Sequence, residues 1–293
     1  MIRDSRPFAD RLRQRNNRRT RARRITRTGL SFVDVVVLMV ATVLVVSLVL
    51  LRVRGSREFS RRMNCEDNLR AIHLGMESYT LRYGTLPIGT QNPVGPIRSE
   101  RVGRHHNWAE GVLEFLVGLE ELADRIDFAD SVYSPNNTQV GNTAVPIFRC
   151  ITSSQELAPF ATTYAGVTSS TERAISRDGD GLFILNRPIR LDQVLDGLSY
   201  TFLVGEKSVD FGPPEQWNSG TRTSLRNLGH AILLAASSNV DSNDPLFVGG
   251  FSSRHIGGAY FLFADGSFRF FSDQADQLML QNHASRAADV VEN

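Results

Sequence analysis

The stretch RTGLSFVDVVVLMVATVLVVSLVLLRVRG, residues 27–55, decides the fold that the sequence predicts. Within it, residues 30–51 form a run of 22 in which Asp34 is the only charged residue. A helix of that length measures about 33 Å, close to the thickness of the hydrocarbon core of a bilayer. The stretch therefore predicts a transmembrane helix over about 30–51.

Charge is distributed unevenly along the 293 residues. Residues 1–28 contain eleven arginines and two aspartates, a net charge of +9, whereas the whole chain carries +2, so the remainder carries −7. Only Arg52, Arg54 and Arg57 follow the apolar run closely. By the positive-inside rule, the N-terminus stays in the cytoplasm and the later residues are extracytoplasmic. We interpret the arginines as a topology signal and expect no nucleic-acid partner, although such a segment can bind phosphates.

Two simpler interpretations of the leader are open, an uncleaved signal anchor and a secretory signal peptide. A secretory peptide has a shorter apolar region, followed by a cleavage site of small residues. Here the small residue, Gly29, comes before the apolar run.

Asp34 is the unusual residue of the apolar run, because a carboxylate inside a membrane is costly and marks a functional candidate. Cleavage after Gly29 would create an α-amino group at Leu30 and make Asp34 the fifth residue of the mature chain. A carboxylate there can pair with the amine of a neighbouring copy, which lowers the cost of both charges in lipid. The position of Asp34 thus predicts processing after Gly29 and packing against copies of the same helix.

Residues 27–34, RTGLSFVD, resemble the processing site of type IV pilins and type II secretion pseudopilins. In those proteins a glycine precedes a hydrophobic residue, usually phenylalanine, and a glutamate stands at the fifth mature position. Leu30 and Asp34 are the two departures from that pattern. The resemblance implies cleavage after Gly29 by a membrane-bound prepilin peptidase and N-methylation of Leu30.

An apolar stripe continues the helix beyond the membrane. Its members step by three and four along the chain: Leu69, Ile72, Met76, Tyr79 and Tyr83. Gly84 and Pro87 then end the pattern. We expect one long helix from about Leu30 to about Arg82, whose second half lays this stripe on a folded domain.

The rest of the chain predicts an α+β domain with a mostly antiparallel sheet. Residues 108–125 have helical periodicity, and the runs 181–186, 200–206 and 259–272 are typical of strands. Asp265 and Gly266 separate two aromatic-rich runs and predict a tight two-residue hairpin turn.

A second resemblance covers most of the chain, to the DUF1559 family of pilin-like proteins abundant in planctomycete bacteria, also filed under a solute-binding-protein name. The segments that carry it are CEDNLRAI from Cys65, YGTLP from Tyr83, FRC ending at Cys150, YAG from Tyr164, DGLSYTFLVGE ending at Glu206, and an H-x9-DG signature formed by His255, Asp265 and Gly266. The resemblance implies an exported, membrane-anchored domain with a pilin-type N-terminus. It predicts a leader over 1–29, a pilin-type helix over 30–83 and a soluble domain over 84–293.

Cys65 and Cys150 are the only cysteines, too few for a disulfide scaffold or a zinc site. Outside the cytosol they can form one bridge, which would tie the helix to the sheet domain and contribute roughly 4 kcal/mol. Two buried free thiols are the alternative.

Other residues are weaker candidates for catalysis or for binding a metal ion or a sugar. His255, Asp265 and Asp196 come with no placed nucleophile, so we expect no enzyme. We expect Asp265 to form the turn and His255 to hydrogen-bond a backbone group or carboxylate in that hairpin.

Calcium at Asp178 and Asp180 is the weaker alternative to a solvated turn, because no closing glutamate follows. Adjacent His105 and His106 fit a metal poorly, and Trp108, Trp217 and Tyr133 are either core residues or a sugar-binding face.

These observations favour a structural subunit, a pilin-like or pseudopilin-like protein of the inner membrane that serves a secretion system or a type IV pilus-like surface fibre. Its expected partners are a prepilin peptidase, the lipid bilayer, and other pilin-like subunits or itself, with no cofactor. The alternative is an anchored extracytoplasmic binding module for a glycan or solute.

Overall fold

The computed structural model describes residues 31–152, 158–207, 215–234 and 244–288, without the side chains of 49–58 and 233–234. The predicted leader 1–29, including the processing residue Gly29, and the mature N-terminal Leu30 lie outside the described residues. The chain divides into two compact units, Met1–Gly55 and Ser56–Asn293.

Helix α1 is a single element of 52 residues, Phe32–Tyr83. Asp34 lies in its first turn, where Oδ2 accepts a hydrogen bond of 3.0 Å from the backbone N–H of Ser31. Gly84 follows the last residue with a φ of +75°, and its N–H donates to the carbonyl of Thr80 at 2.8 Å. A left-handed glycine at this position is a common helix end, so the predicted end near Arg82 is correct to within a residue.

Among the described residues, no helix combines the length and the apolar character that a membrane crossing requires. The predicted span of about 30–51 includes Leu30 and the side chains of 49–51, which lie outside the described residues. The transmembrane assignment therefore stays a prediction from the sequence.

The second half of α1 buries most of the predicted stripe in the larger unit. Leu69, Ile72 and Met76 are at most 1 % exposed, whereas Tyr83 is 49 % exposed. The stripe is thus correct through Met76 and wrong at Tyr83, where the helix reaches the edge of the domain. Gly75 allows a close approach, because a Cβ there would lie 3.0 Å from Cδ2 of Leu116.

The predicted α+β fold with a mostly antiparallel sheet is confirmed. Strands β1 and β2, Thr90–Gln91 and His106–Asn107, pair with each other, and β6 and β7, Leu233–Leu234 and Ser252–Ser253, form a second small ladder. The main sheet contains β3 (Tyr164–Ser169), β4 (Phe202–Glu206), β5 (Leu225–Asn227), β8 (Gly258–Phe263) and β9 (Phe268–Ser272). Its order is β5-β3-β4-β8-β9, and only the β3–β5 pair is parallel.

Both faces of this sheet are buried at β8, because alternate residues of that strand enter two different clusters. Tyr260 and Leu262 join the core that contains the α1 stripe, whereas Phe261 and Phe263 join a second cluster. The second cluster also contains Leu280, from helix α5 (Gln277–Ala284). The sheet therefore lies between α1 and α5 in the core of the larger unit.

Two predicted elements are wrong. Residues 108–125 break into α2 (Trp108–Val112), a 3-10 turn (Leu113–Phe115) and α3 (Glu120–Ala123). Helical periodicity fails here because Leu116 is extended and Gly118 adopts a φ of +81°.

The predicted strand 181–186 makes only isolated bridges, Thr90 with Leu185 and Ile184 with Arg187. Asn186 has a φ of +52° and turns the chain away from a ladder. A further helix, α4 (Pro135–Gly141), begins at the N-cap Ser134.

Candidate functional site

Four segments of the larger unit meet at one buried cluster of chemically active side chains, which we call the cystine cluster: Cys65, Cys150, Glu206 and His255. Cys65 comes from α1, Cys150 from the segment before β3, Glu206 from the end of β4 and His255 from the segment before β8. One ligand-type atom of each lies within 4.8 Å of the others, and all four residues are buried.

A disulfide joins Cys65 to Cys150, with a Cα–Cα distance of 5.3 Å. The backbone around it is fixed by polar contacts. The Cys150 N–H donates to Oγ1 of Thr163 at 2.6 Å, and the Asn68 side chain donates to the carbonyl of Arg149 at 3.0 Å. The bond therefore connects the long helix covalently to the chain that leads into the central sheet.

His255 faces both sulfurs and a carboxylate. Its Nε2 lies 3.3 Å from Sγ of Cys65, 3.4 Å from Sγ of Cys150 and 3.4 Å from Oε1 of Glu206. The carboxylate that His255 contacts belongs to β4 and not to the β8–β9 hairpin. Its ring also lies edge-on to Tyr260, with ring centroids 5.9 Å apart.

Glu206 is held through one of its two oxygens. Oε2 accepts hydrogen bonds from the hydroxyl of Ser253 at 3.0 Å and from the backbone N–H of Tyr260 at 2.9 Å. Ser253 also accepts from the N–H of His255 at 3.1 Å. These contacts fix the carboxylate so that Oε1 stays on the side of His255 and the sulfurs.

Tyr164 contacts two members of the cystine cluster. It pairs with Glu206 across β3 and β4, and its hydroxyl donates to the carbonyl of Cys65 at 3.4 Å. Burial first, and the negative charge of Glu206 second, raise the pKa of Tyr164 well above its ordinary value. The phenol is therefore a neutral structural donor at physiological pH.

The other half of the H-x9-DG signature lies elsewhere. Asp265 and Gly266 follow β8, whereas His255 precedes it, so a six-residue strand separates the two parts. The connection to β9 has four residues, 264–267, and not the two expected, because β8 ends at Phe263 and β9 starts at Phe268.

Asp265 serves this turn. Its Oδ1 accepts from the N–H and the hydroxyl of Ser267, at 2.9 and 2.7 Å. Gly266 has a φ of +87°, and a Cβ there would lie 2.3 Å from Nε2 of His73 on α1.

Asp196, another candidate, accepts a hydrogen bond from the N–H of Ala288 and lies outside the cystine cluster. Asp180 accepts from the N–H and the hydroxyl of Ser170 and so closes a loop. Asp178 is exposed, and its carbonyl accepts from the Arg173 guanidinium at 3.1 Å. The two aspartates of the weak calcium candidate thus have different environments.

The adjacent histidines occupy different environments. Nδ1 of His105 contacts the Tyr133 hydroxyl at 2.8 Å, and burial lowers the pKa of His105 to about 4. His106 contacts Glu110 at 2.8 Å through Nδ1 and the Asp130 carbonyl at 2.8 Å through Nε2. Burial opposes protonation of His106, but its bonds to Glu110 and to the Asp130 carbonyl leave its pKa raised.

Both tryptophans are core residues, each 1 % exposed. The indole N–H of Trp108 donates to the carbonyl of Ser224 at 2.8 Å, and that of Trp217 donates to the carbonyl of Thr143 at 3.0 Å. A sugar-binding face built on these two indoles is therefore excluded.

Glu206 is the functional candidate that reasoning from the sequence missed. The segment that ends at Glu206 contributes to the sequence analysis only through its resemblance to the DUF1559 family. The sequence feature that could have identified Glu206 is a carboxylate directly after the apolar run YTFLVG. Such a group is buried with the strand and needs a partner.

The fold and the cystine cluster define a class of protein: an α+β domain closed onto a long N-terminal helix by a buried disulfide beside a histidine–carboxylate pair. The family profile described as "Protein of unknown function (DUF1559)" matches residues 54–278, and the chain belongs to that family. No curated protein and no solved structure matches the chain.

Proposed function

We propose that the chain is a pilin-like structural subunit, held in the inner membrane by the first part of α1 and carrying its α+β domain outside the cytoplasm. The observation that supports this proposal is the apolar surface of α1. Between Phe32 and Leu48 thirteen large apolar side chains are each at least 40 % exposed, with Asp34 as the only charge. Apolar surface of that extent requires lipid or a protein partner.

The start of α1 supports the same proposal. Asp34 lies in the first helical turn and is bonded to the N–H of Ser31, so its carboxylate lies next to the chain end that cleavage after Gly29 would create. Prepilin peptidase would remove residues 1–29, and the amine of Leu30, methylated or not, would pair with Asp34 of a neighbouring subunit.

Mass spectrometry of the protein recovered from cell membranes tests the processing step. We expect a chain that begins at Leu30 with one added methyl group.

Asp34→Glu, which restores the usual pilin carboxylate, should be processed and assembled at least as well as the natural chain. Asp34→Ala should lose assembly, and Asp67→Ala, which removes an exposed carboxylate from the same helix, is the control. Recovery of the intact arginine-rich leader would refute the proposal.

Assembly is tested by cross-linking in membranes. Val37 and Met39 are 61 % and 60 % exposed and lie about 200° apart around the helix. Cysteines at both positions should give ladders longer than dimers when the helices pack side by side. The pair Leu74→Cys and Leu81→Cys, at exposed positions in the second half of α1, is the control and should give none. A purely monomeric pattern at Val37 and Met39 would favour the alternative, an anchored solute-binding module.

A further inference from the structure

A buried carboxylate oxygen at the centre of the cystine cluster is without a hydrogen bond. Oε1 of Glu206 has no hydrogen-bond partner among the described residues, although Glu206 is only 2 % exposed. An unsatisfied oxygen of this kind costs free energy unless another group neutralises it. Its neighbours are Nε2 of His255 and the two sulfurs, which are the atom types that bind zinc in proteins.

The distances around His255 match those between the ligands of one metal ion. In a tetrahedral zinc site, a sulfur and a nitrogen ligand lie roughly 3.5 Å apart, and a nitrogen and an oxygen ligand roughly 3.4 Å apart. Nε2 of His255 lies 3.3 and 3.4 Å from the two sulfurs and 3.4 Å from Oε1 of Glu206. The two sulfurs must separate to about 3.8 Å from each other once the bond between them is broken, and all four ligand atoms already lie within 4.8 Å of one another.

The surroundings hold these side chains in position. Ser253 and the Tyr260 N–H fix Glu206 through Oε2 alone, so binding through Oε1 would break neither bond. The backbone at Cys150 is held by Thr163. Hydrogen bonds from neighbouring groups to the ligand residues orient metal ligands in proteins in this way.

We propose that Cys65, Cys150, His255 and Glu206 bind one zinc ion when the cysteines are reduced, and that the disulfide replaces the metal on oxidation. Two thiolates, one imidazole and one carboxylate suit zinc by ligand type and by tetrahedral geometry. The two states exclude each other, because the sulfurs of a disulfide have no thiolate to offer.

The exchange balances with a disulfide as the oxidant. Two zinc-bound thiolates lose two electrons and form the Cys65–Cys150 bond, and the zinc ion leaves. The electrons break the sulfur–sulfur bond of the oxidant, whose two sulfurs take up two protons and become thiols. In the opposite direction, a dithiol reductant opens the bond, and zinc binding releases the two protons of the cysteine thiols. The disulfide and the zinc-bound state would each connect α1 to the segment before β3.

Metal titration of the full-length chain in detergent tests this proposal. The protein is reduced with a phosphine, which supplies no thiol, and titrated with Co²⁺ alone as the probe. We expect one Co²⁺ per reduced chain, with thiolate-to-metal charge-transfer absorption and tetrahedral ligand-field bands that Zn²⁺ abolishes. The oxidised chain should bind neither metal.

Two variants identify the ligands besides sulfur. Glu206→Gln keeps an oxygen that can accept from Ser253 and the Tyr260 N–H, and His255→Gln removes the imidazole. Each should weaken Zn²⁺ binding by more than the roughly 10- to 100-fold that the loss of an outer-shell partner costs. The control is His230→Gln, because His230 and Glu172 form a partly exposed pair at 3.3 Å. It should leave the affinity unchanged.

The comparison of the two redox states needs no variant, so it holds even if a substitution prevents folding. A reduced chain that stays folded by circular dichroism but gives no charge-transfer band would overturn the zinc site. A reduced chain that unfolds and does not refold with Zn²⁺ would also overturn it, because metal binding to a structural site is coupled to folding. If the oxidised chain binds Co²⁺ equally well, the metal binds outside the cystine cluster, and the proposal is wrong.

Discussion

Gly266 illustrates how one residue can meet two demands at once. It adopts a φ of +87°, and the ring of His73 fills the space that a side chain would need. A residue with a Cβ must therefore strain its backbone and displace an imidazole of α1. The contact joins the β8–β9 turn to the helix at the opposite end of β8 from His255.

Gly266→Ala should lower the free energy of unfolding by more than the roughly 1–2 kcal/mol that a left-handed backbone costs. The matched control is Gly84→Ala, since Gly84 has a φ of +75° but open space around it. Unfolding in urea, followed by fluorescence of the two buried tryptophans, measures both. Equal losses for the two variants would mean that the His73 contact contributes nothing.

His105 makes stability depend on pH. Burial lowers its pKa to about 4, with Glu215 acting in the opposite direction, whereas an unfolded histidine titrates near 6.5. Between these values the unfolded chain binds a proton that the folded chain does not. The contribution of His105 therefore lowers stability as pH falls from about 6.5 to about 4.

His105→Asn removes this titration and suits the backbone, because His105 has a φ of +51° and asparagine tolerates that region. At pH 7.5 the variant should be less stable by about 1 kcal/mol, through the lost bond to Tyr133. The deficit should shrink or reverse by pH 4.5 in urea unfolding. Parallel pH profiles for the two proteins would contradict the assignment.

At the scale of elements, α1 uses two kinds of contact on the domain. The apolar stripe enters the core, while charged residues on another face cover the outer strands. Arg62 and Arg70 lie 4.8 and 4.9 Å from the ring centroids of Phe270 and Phe268 on β9. Between them, Glu66 accepts a hydrogen bond from the Tyr260 hydroxyl at 3.1 Å. The helix therefore covers both the core and the edge of the sheet.

Ile72→Ala should lower the free energy of unfolding by about 2–5 kcal/mol, because it empties a fully buried site beneath α1. Leu74→Ala, two residues along the same helix at a position that is 59 % exposed, should change it by less than about 0.5 kcal/mol. Chemical denaturation of the full chain measures the difference. A loss at Leu74 as large as that at Ile72 would mean that α1 packs by another face.

Local patterns predicted those elements whose residues alternate or repeat regularly. The α1 stripe through Met76, β4 and the two strands of the β8–β9 hairpin have such patterns and form as expected, although Tyr83 is half exposed and the hairpin turn has four residues. Residues 108–125 have helical periodicity too, but the extended Leu116 and the left-handed Gly118 interrupt it, and periodicity does not report backbone angles. For the cystine cluster, the sequence predicted only a possible bridge between Cys65 and Cys150, and the rest could not be predicted for another reason. Its members come from four segments, and only the order of strands brings Glu206 and His255 to the cysteines.

At the scale of the whole molecule, the disulfide is the covalent link between α1 and the chain entering the sheet, across 85 residues of sequence. The double variant Cys65→Ala and Cys150→Ala should lose about 4 kcal/mol in metal-free buffer, since the open chain gains loop entropy when it unfolds. Denaturant midpoints measure the loss. Reduced natural protein in the same buffer should lose a similar amount, and an unchanged midpoint in both would contradict the expectation.

The position of Cys65 determines how the domain would respond to tension. A pull applied along α1 from its N-terminal side reaches Cys65 before it reaches Leu69, Ile72 or Met76. The sulfur bridge passes that load directly to Cys150 and the central sheet, so the apolar contacts further along the helix carry little of it. In the oxidised chain, the helix cannot separate from the domain under tension unless this bond breaks.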